Sequence, residues 1–316
     1  MKGRVLVVAG PTATGKSALA VDLAEATGGV VINADSMQVY RELSILTARP
    51  GPAALARVPH RLYGVLPAAE PCSAARWRGH ALAEIAEALV RGRMPVLVGG
   101  TGLYLRALIE GLAEIPPVPE AVRREVAERL AALGGDAFRA ELARRDPASA
   151  ARLAPGDTQR LIRAAEVVEA TGRPLGAWQA DPGLAPPPGL RFAVTVLLPA
   201  REPLYAACEA RFAAMMEAGA LDEVRALDAL RLDPSLPAMK ALGVPPLRAH
   251  LAGEIDRATA VERAVRETRR YAKRQTTWFR HQLPHGADNV ESLEVYDEQY
   301  SESLSQAILR KVRKGH

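Results

Sequence analysis

Cysteine, aromatic side chains and long apolar runs are all scarce in this chain of 316 residues. The two cysteines, Cys72 and Cys208, lie far apart and form no Cys-x-x-Cys pair. That excludes a disulfide-stapled scaffold and a thiolate zinc site, and it is the cysteine usage of a reducing compartment. No apolar stretch is long enough to span a membrane. The first apolar run is too short for a secretory leader, so a cytoplasmic location with no membrane partner is expected. Aromatics make up 4% of the residues, which makes any cluster of them conspicuous. No internal repeat or low-complexity domain is found. What remains is a globular composition, 48% hydrophobic and 24% charged, long enough for one large domain or two modest ones. The formal charge of +5 permits an acidic partner such as nucleic acid without requiring one.

The stretch that organises the chain is Gly10, Pro11, Thr12, Ala13, Thr14, Gly15, Lys16, Ser17. It follows the apolar run Val5–Ala9 and precedes a helical pattern from Ala18 to Ala24. Strand, glycine-rich loop and helix with this spacing read as a P-loop. Backbone N–H groups of such a loop curl inward on a phosphate, and the positive end of the helix adds to their field. Lys16 supplies a point charge to the outer oxygens, and Ser17 supplies a hydroxyl ligand for Mg²⁺. A phosphate or diphosphate site is therefore expected at residues 10–17.

A second buried strand, Val30–Ala34, ends at Asp35. An acid at the C-terminal end of a parallel strand faces the ligand crevice of a doubly wound sheet. Asp35 then serves as metal ligand, base or helix cap. Residues 47–71 are rich in proline and glycine and read as a long irregular excursion, with His60 in a structural role. An amphipathic helix is expected over 73–89. The third strand, Pro95–Val98, ends in Gly99 and Gly100 where an ordinary ATPase carries an acid. These glycines are expected to let a ligand approach the backbone. Thr101 follows, either near the mouth of the P-loop or capping the turn.

A helix containing Val122, Val126, Leu130 and Leu133 is stopped by Gly134 and Gly135. Its Arg123, Arg124 and Arg129 read as a solvated face. A further helix spans 158–171, with Gln159, Arg160 and Arg163 on its early turns. Residues 182–189 read as a stiff linker, Phe192–Leu198 as a fourth strand, and Pro203 as the start of a long helix ending at Gly219. The segment from Arg266 to Arg280 carries six positive charges, one negative charge and three aromatics. It reads either as a phosphate-and-base stripe or as a solvated helix with a core seam. His281 and His285 are separated by Pro284 and form no metal pair. One more element is expected at 289–296, then a frayed polar tail from Tyr296.

Strands alternating with helices predict an α/β, P-loop kinase-like three-layer domain with a parallel sheet, plus helical insertions. The core is expected over 1–115, continued by about 185–212 and 281–300. Mostly helical insertions are expected at about 116–180 and 213–280.

Taken together, residues 10–17, Asp35–Tyr40, Gly99–Tyr104, Gln159 with Arg160 and Arg163, and Thr268–Arg280 resemble the tRNA isopentenyl-transferase family. The resemblance runs in order from about residue 4 to 281. The eukaryotic members carry a C-terminal zinc finger, which these cysteines do not supply, so the chain resembles the bacterial form. The resemblance implies transfer of a dimethylallyl group from dimethylallyl diphosphate to N6 of the adenosine just 3′ of the anticodon. The tRNAs concerned read codons beginning with U, and Mg²⁺ is required. It implies that residues 10–17 hold the diphosphate, that Asp35 is the base, and that Thr101 and Lys16 act beside it. It places tRNA contacts at Asp35, Ser36, Met37, Gln38, Thr101, Arg123, Gln159, Arg160, Leu161, Ile162 and Arg163. A monomer is expected.

Three positions depart from the family pattern. Leu46 stands where glycine is common, Arg61 where histidine is common, and Val244 where an aromatic is common. A small-metabolite kinase, with Asp35 activating a hydroxyl, accounts for residues 1–110 but leaves the 266–280 stripe idle. An RNA-binding protein regulated by nucleotide accounts for the stripe but not for Asp35 with Thr101.

Overall fold

The computed structural model describes residues 3–181, 183–283, 289–293, 306, 308 and 310. In chain order come β1 (Gly3–Ala9), α1 (Lys16–Thr27), β2 (Val30–Asn33), α2 (Pro52–Arg57), β3 (His60–Arg61), α3 (Ala74–Val90), β4 (Pro95–Gly99) and α4 (Gly102–Ile109). Four helices follow: α5 (Glu120–Leu142), α6 (Pro147–Arg152), α7 (Thr158–Thr171) and α8 (Leu175–Ala180). The chain then forms β5 (Leu190–Leu197), α9 (Arg201–Glu217), α10 (Ala220–Ala229), a 3₁₀ turn (Ala238–Lys240), α11 (Val244–Leu251), α12 (Arg257–His281) and β6 (Asn289–Leu293).

The strands form one sheet in the order β3-β2-β4-β1-β5-β6, with every pair parallel. Side chains alternate across a strand, and here both faces are apolar. Val5, Val7 and Ala9 of β1 face a core that includes Trp77 and Ile85 of α3 and Leu105 and Leu108 of α4. Leu6 and Val8 face the other side, against Leu19 and Leu23 of α1. Apolar runs without polar alternation are what a parallel sheet covered on both faces requires. The expected three-layer α/β architecture is the one observed.

The chain divides into two compact units, Met1–Glu110 with Pro187–His316, and Gly111–Pro186. The expected division is corrected here in one respect. Residues 213–280 are not a separate insertion. Val224 and Leu227 of α10, Val244 and Leu247 of α11, and Ala260, Ala264 and Phe279 of α12 share the core that contains β1. Two of the departures from the family pattern also lie near each other in this core. Leu46 packs beside Gly243, where a Cβ would come within 2.9 Å of it, and Val244 is the next residue.

The 47–71 excursion is less irregular than its composition predicts, because it holds α2 and the two-residue strand β3. His60 has the structural role expected of it. It sits on β3, with Nδ1 2.9 Å from the Val58 carbonyl and its ring edge-on to Tyr63. Ser73 caps α3 by accepting from the Arg76 N–H. The polar tail from Tyr296 lies outside the described residues apart from 306, 308 and 310, as does Pro182 of the expected linker.

In the second unit, α5 is two helices joined at Gly134, whose φ of 73° and ψ of 168° break the spiral where the glycines predict a stop. Val126, Phe138, Leu142, Leu153, Leu161 and Val168 form its core. Leu112 and Leu184 exchange backbone hydrogen bonds of 3.0 and 2.7 Å, which tie the two ends of this unit together. Arg129 is not on a solvated face. It contacts Glu125, Glu141 and Glu169, and so joins both halves of α5 to α7.

Candidate active site: the P-loop cleft

At the end of β1 the chain leaves the sheet through Gly10, with φ of 147°. A Cβ there would lie 2.6 Å from the Leu197 carbonyl oxygen of β5, so only glycine fits. Ala13 and Gly15 also have positive φ, 62° and 76°. Successive changes of hand turn N–H groups into a concave nest. Lys16 and Ser17 begin α1, whose N-terminal amides add to that field. The Thr14 hydroxyl and Lys16 Nζ both donate to the Pro11 carbonyl, at 3.0 and 2.9 Å. Burial, and then the neighbouring Arg211 charge, lower the Lys16 pKa to about 8 against the opposing pull of Asp35.

Asp35 follows β2 and is gripped by Asn33, which is fully buried. The Asn33 amide accepts from the Asp35 N–H at 2.8 Å and donates to the Asp35 and Leu62 carbonyls at 2.9 and 3.1 Å. Trp77, stacked on Tyr104, donates to the Asn33 carbonyl at 2.9 Å. The Asp35 carboxylate accepts from the Met37 N–H at 2.9 Å through Oδ1. That is an Asx turn, not the start of a helix, so the capping alternative is excluded. Among the described residues no hydrogen bond falls on Oδ2. The Asp35 charge also acts on three tyrosines, Tyr63, Tyr104 and Tyr271, whose hydroxyl pKa values burial pushes well up.

Thr101 makes no side-chain cap at the start of α4. Its hydroxyl instead accepts from the Ser36 N–H at 3.0 Å and donates to Ser36 Oγ at 3.3 Å. The β4–α4 turn is thereby tied to the segment carrying Asp35.

The glycines at and after the end of β4 make room for protein neighbours. A Cβ at Gly99 would collide with the backbone of Ala34, one at Gly100 with the Gln275 amide, and one at Gly102 with the Trp278 ring. They admit a neighbouring strand end and α12, and Gly99 also lines the cleft, where the ligand approach was expected. Gln275 is 5% exposed and bonds both loops, accepting from the Thr12 N–H and donating to the Gly100 carbonyl, each at 2.9 Å. The aromatic-basic stripe is therefore divided by face. Tyr271, Gln275 and Trp278 turn inward, whereas Arg270, Lys273 and Arg280 are exposed. Arg269 pairs with Glu209 and lies over the Tyr205 ring, and Arg266 pairs with Glu262.

Sequence reasoning missed Arg211. It sits on α9 and donates to the Thr12 hydroxyl at 3.1 Å and the Thr47 carbonyl at 3.4 Å. Nothing local distinguishes it, because its partner in the P-loop lies 199 residues earlier. Thr12, Lys16, Ser17, Asp35, Gln38 and Arg211, with Thr47, Val98 and Gly99, line one cleft. Two cations, a carboxylate and a nest of amides in one cleft suit a diphosphate and a group that must lose a proton.

Mg²⁺ takes oxygen donors, usually one or two from the protein plus phosphate and water. The Ser17 hydroxyl and the Asp35 carboxylate are such donors. No group of three or more His, Cys, Asp or Glu assembles among the described residues. This set suits a magnesium ion carried on a phosphate substrate.

The remaining sequence-predicted residues belong to the second unit. Arg123 on α5, and Gln159 and Arg160 on α7, are exposed. Arg160 pairs with Asp157 at 3.3 Å and Arg163 with Glu166 at 3.5 Å. Ile162 is half-buried. Leu161 is fully buried in the core of this unit, so its side chain is not available to a ligand.

Comparison with known proteins places the chain in a family. The family model described as IPP transferase matches residues 38–282, and that described as isopentenyl transferase matches residues 3–65. A tRNA dimethylallyltransferase of Rhodospirillum centenum is 64% identical over 279 residues, 88% of this chain and 89% of the relative. The crystal structure of a full-length tRNA isopentenylpyrophosphate transferase from Bacillus halodurans superposes with a TM-score of 0.67 at 32% identity. That match covers 99% of this chain and 98% of the other. A eukaryotic dimethylallyltransferase acting on tRNA superposes with a TM-score of 0.78 at 26% identity, covering 98% of this chain and 78% of that one.

Proposed function

The chain belongs to the IPP transferase family, and on that premise we propose how its cleft works. The protein is an enzyme that transfers a dimethylallyl group to adenosine in tRNA. In our reading the donor is dimethylallyl diphosphate, and the acceptor is N6 of the adenosine adjacent to the anticodon on its 3′ side. The reaction takes place in the cytoplasm.

The observation that carries this reading is the joint lining of one cleft by Lys16, Ser17, Arg211 and Asp35. The diphosphate lies in the nest of residues 10–17. As the bond from the dimethylallyl C1 to oxygen breaks, negative charge grows on the leaving oxygens. Lys16, Arg211 and the loop amides already face that position, which is the arrangement that stabilises a developing anion. Ser17 would hold a magnesium ion in part, and the bound ion would neutralise charge on the diphosphate. N6 attacks C1 and gives up a proton, and the Asp35 carboxylate accepts it. Asn33 and the Met37 N–H fix that carboxylate. Thr101 holds the Ser36 backbone beside it, so Thr101 acts by positioning as well as by any contact with the nucleotide. The target adenine must leave its stack to reach a cleft of this kind. Arg123, Gln159, Arg160 and Arg163 contact the tRNA backbone, and Ser36, Met37 and Gln38 contact the target nucleotide.

The test mixes the protein with Mg²⁺, labelled dimethylallyl diphosphate and unmodified tRNA, and follows label into RNA. Asp35→Ala is expected to lower transfer by about 10²-fold or more with tRNA affinity retained. Full activity in that variant removes Asp35 as the base. Movement of an ATP γ-phosphate to a small molecule, with no prenyl transfer, makes the cleft a kinase site instead.

A further inference from the structure

We propose that Glu223, on α10 and outside the cleft, is a positioning residue for the transfer reaction, acting through the 44–48 loop on Gln38 and Arg211. The inference rests on the reading above, in which those two side chains face the substrates. Glu223 makes an unusual set of contacts for one carboxylate. Its Oε1 accepts from the Ser44 N–H at 2.6 Å, the Ile45 N–H at 2.7 Å and the Ser44 hydroxyl at 2.9 Å. Its Oε2 accepts from the Leu46 N–H at 2.9 Å. Three successive backbone donors thus converge on one anion, the geometry of a nest. Here the anion is supplied by a side chain some 178 residues further along the chain.

The same loop ends in the cleft. Immediately after the three donors, the Thr47 carbonyl accepts from Gln38 Nε2 at 2.7 Å and from Arg211 Nη2 at 3.4 Å. The Ala48 carbonyl accepts from the same Gln38 amide at 3.2 Å. Ala48 has a φ of 48°, so the turn is held in a conformation that alanine does not favour. Gln38, Thr47 and Arg211 all line the cleft, and Glu223 does not. One carboxylate therefore sets the direction of the carbonyls that aim an amide and a guanidinium at the substrates. Glutamate suits this role through its charge and reach. Glutamine brings an N–H group against N–H donors, and aspartate is one methylene too short for the same four bonds.

The experiment compares the wild type with Glu223→Gln, Glu223→Ala and Ser44→Ala. It measures kcat and KM for dimethylallyl diphosphate and for tRNA separately, and the thermal midpoint of each variant. Misplacement of a positioning group by about 1 Å costs up to 10²-fold. Glu223→Gln is therefore expected to lose about 10- to 100-fold in kcat/KM for the diphosphate. The loss should appear at temperatures where the variant remains fully folded, and KM for tRNA should rise with it, because Gln38 contacts the target nucleotide in the reading above. Ser44→Ala, which removes one bond of four, is expected to show a smaller loss of the same kind. The Arg211→Ala background provides the decisive control. If Glu223 works through Arg211, the second substitution adds less there than it costs alone. Wild-type constants in Glu223→Gln, or a loss that multiplies in full with that of Arg211→Ala, overturn the inference. If Arg211→Ala and Gln38→Ala are themselves fully active, the cleft reading fails and the inference fails with it. If they are impaired and the Glu223 variants are not, only the inference fails.

Discussion

The cleft side chains are held by partners from remote parts of the chain, whereas the candidate RNA contacts of the second unit are held locally or not at all. Gln275 bonds Thr12 across 263 residues, and Arg211 bonds Thr12 across 199. Asp35 is clamped by its near neighbour Asn33, which is fully buried and itself held by Leu62 across 29 residues and by Trp77 across 44. In the 111–186 unit, Arg160 and Arg163 pair with acids three residues away on their own helix, and Arg160 is 75% exposed. Exposed pairs of this kind contribute about 0–1 kcal/mol, so their arginines exchange readily onto phosphates. The contrast follows from the two tasks. Chemistry needs groups fixed before the substrate arrives, because reorganisation at the moment of reaction costs rate. Docking a polyanion needs mobile charge that water has not surrendered, and it gains by releasing counterions.

Substitutions at three positions break or sharpen that contrast. The largest effect is expected at Lys16. Lys16→Met should lower transfer by about 10²-fold or more at pH 7, as loss of a preorganised charge does. With a pKa near 8, Lys16 is charged below that pH and neutral above it. Accordingly kcat/KM for the diphosphate, which reports the free enzyme, should be flat up to pH 7.5 and decline above 8. Lys16→Arg keeps its charge throughout and should lose that decline. Identical pH profiles for the two proteins detach the titration from Lys16.

Gln275→Ala should have an intermediate effect. It strands the Thr12 N–H and the Gly100 carbonyl, and an unmet buried group costs about 1–3 kcal/mol. Both the thermal midpoint and kcat/KM for the diphosphate should fall, the latter by about 10-fold. A variant that melts early yet keeps full activity would reduce Gln275 to a packing residue. The smallest effect is expected at Arg160. Arg160→Ala should weaken tRNA binding a few-fold and reduce its salt slope by about one, with kcat untouched. A change in kcat with an unaltered slope would move Arg160 from docking to chemistry and erase the contrast.

Much of the cleft could be read from the chain alone. The P-loop is contiguous, and its chemistry needs glycines, lysine and serine at fixed spacing, so eight residues contain it. Asp35 was legible as an acid at a strand end, and the break at Gly134, where φ is 73°, as a glycine after a periodic run. Gly99 and Gly100 were legible as places of close approach, but their protein neighbours were not. A glycine records that something comes close, and only the fold identifies Ala34, Gln275 and Trp278 as the neighbours. Arg211 and Glu223 were not legible. Each is an ordinary charged residue on a surface helix, and its meaning lies in a loop more than 150 residues away. Leu161 shows the opposite error, a position beside exposed Arg160 that the helix turns into the core.

By itself the sequence determined most of the long strands and helices, the three-layer class and the phosphate-binding loop, because strand, turn and helix preferences act over short spans. Tertiary structure alone decided which remote side chains complete the cleft and that helices 213–280 join the sheet's core. It also decided that the second unit keeps its own. Those outcomes depend on contacts between residues far apart in the chain, and no local pattern encodes which two distant segments will meet.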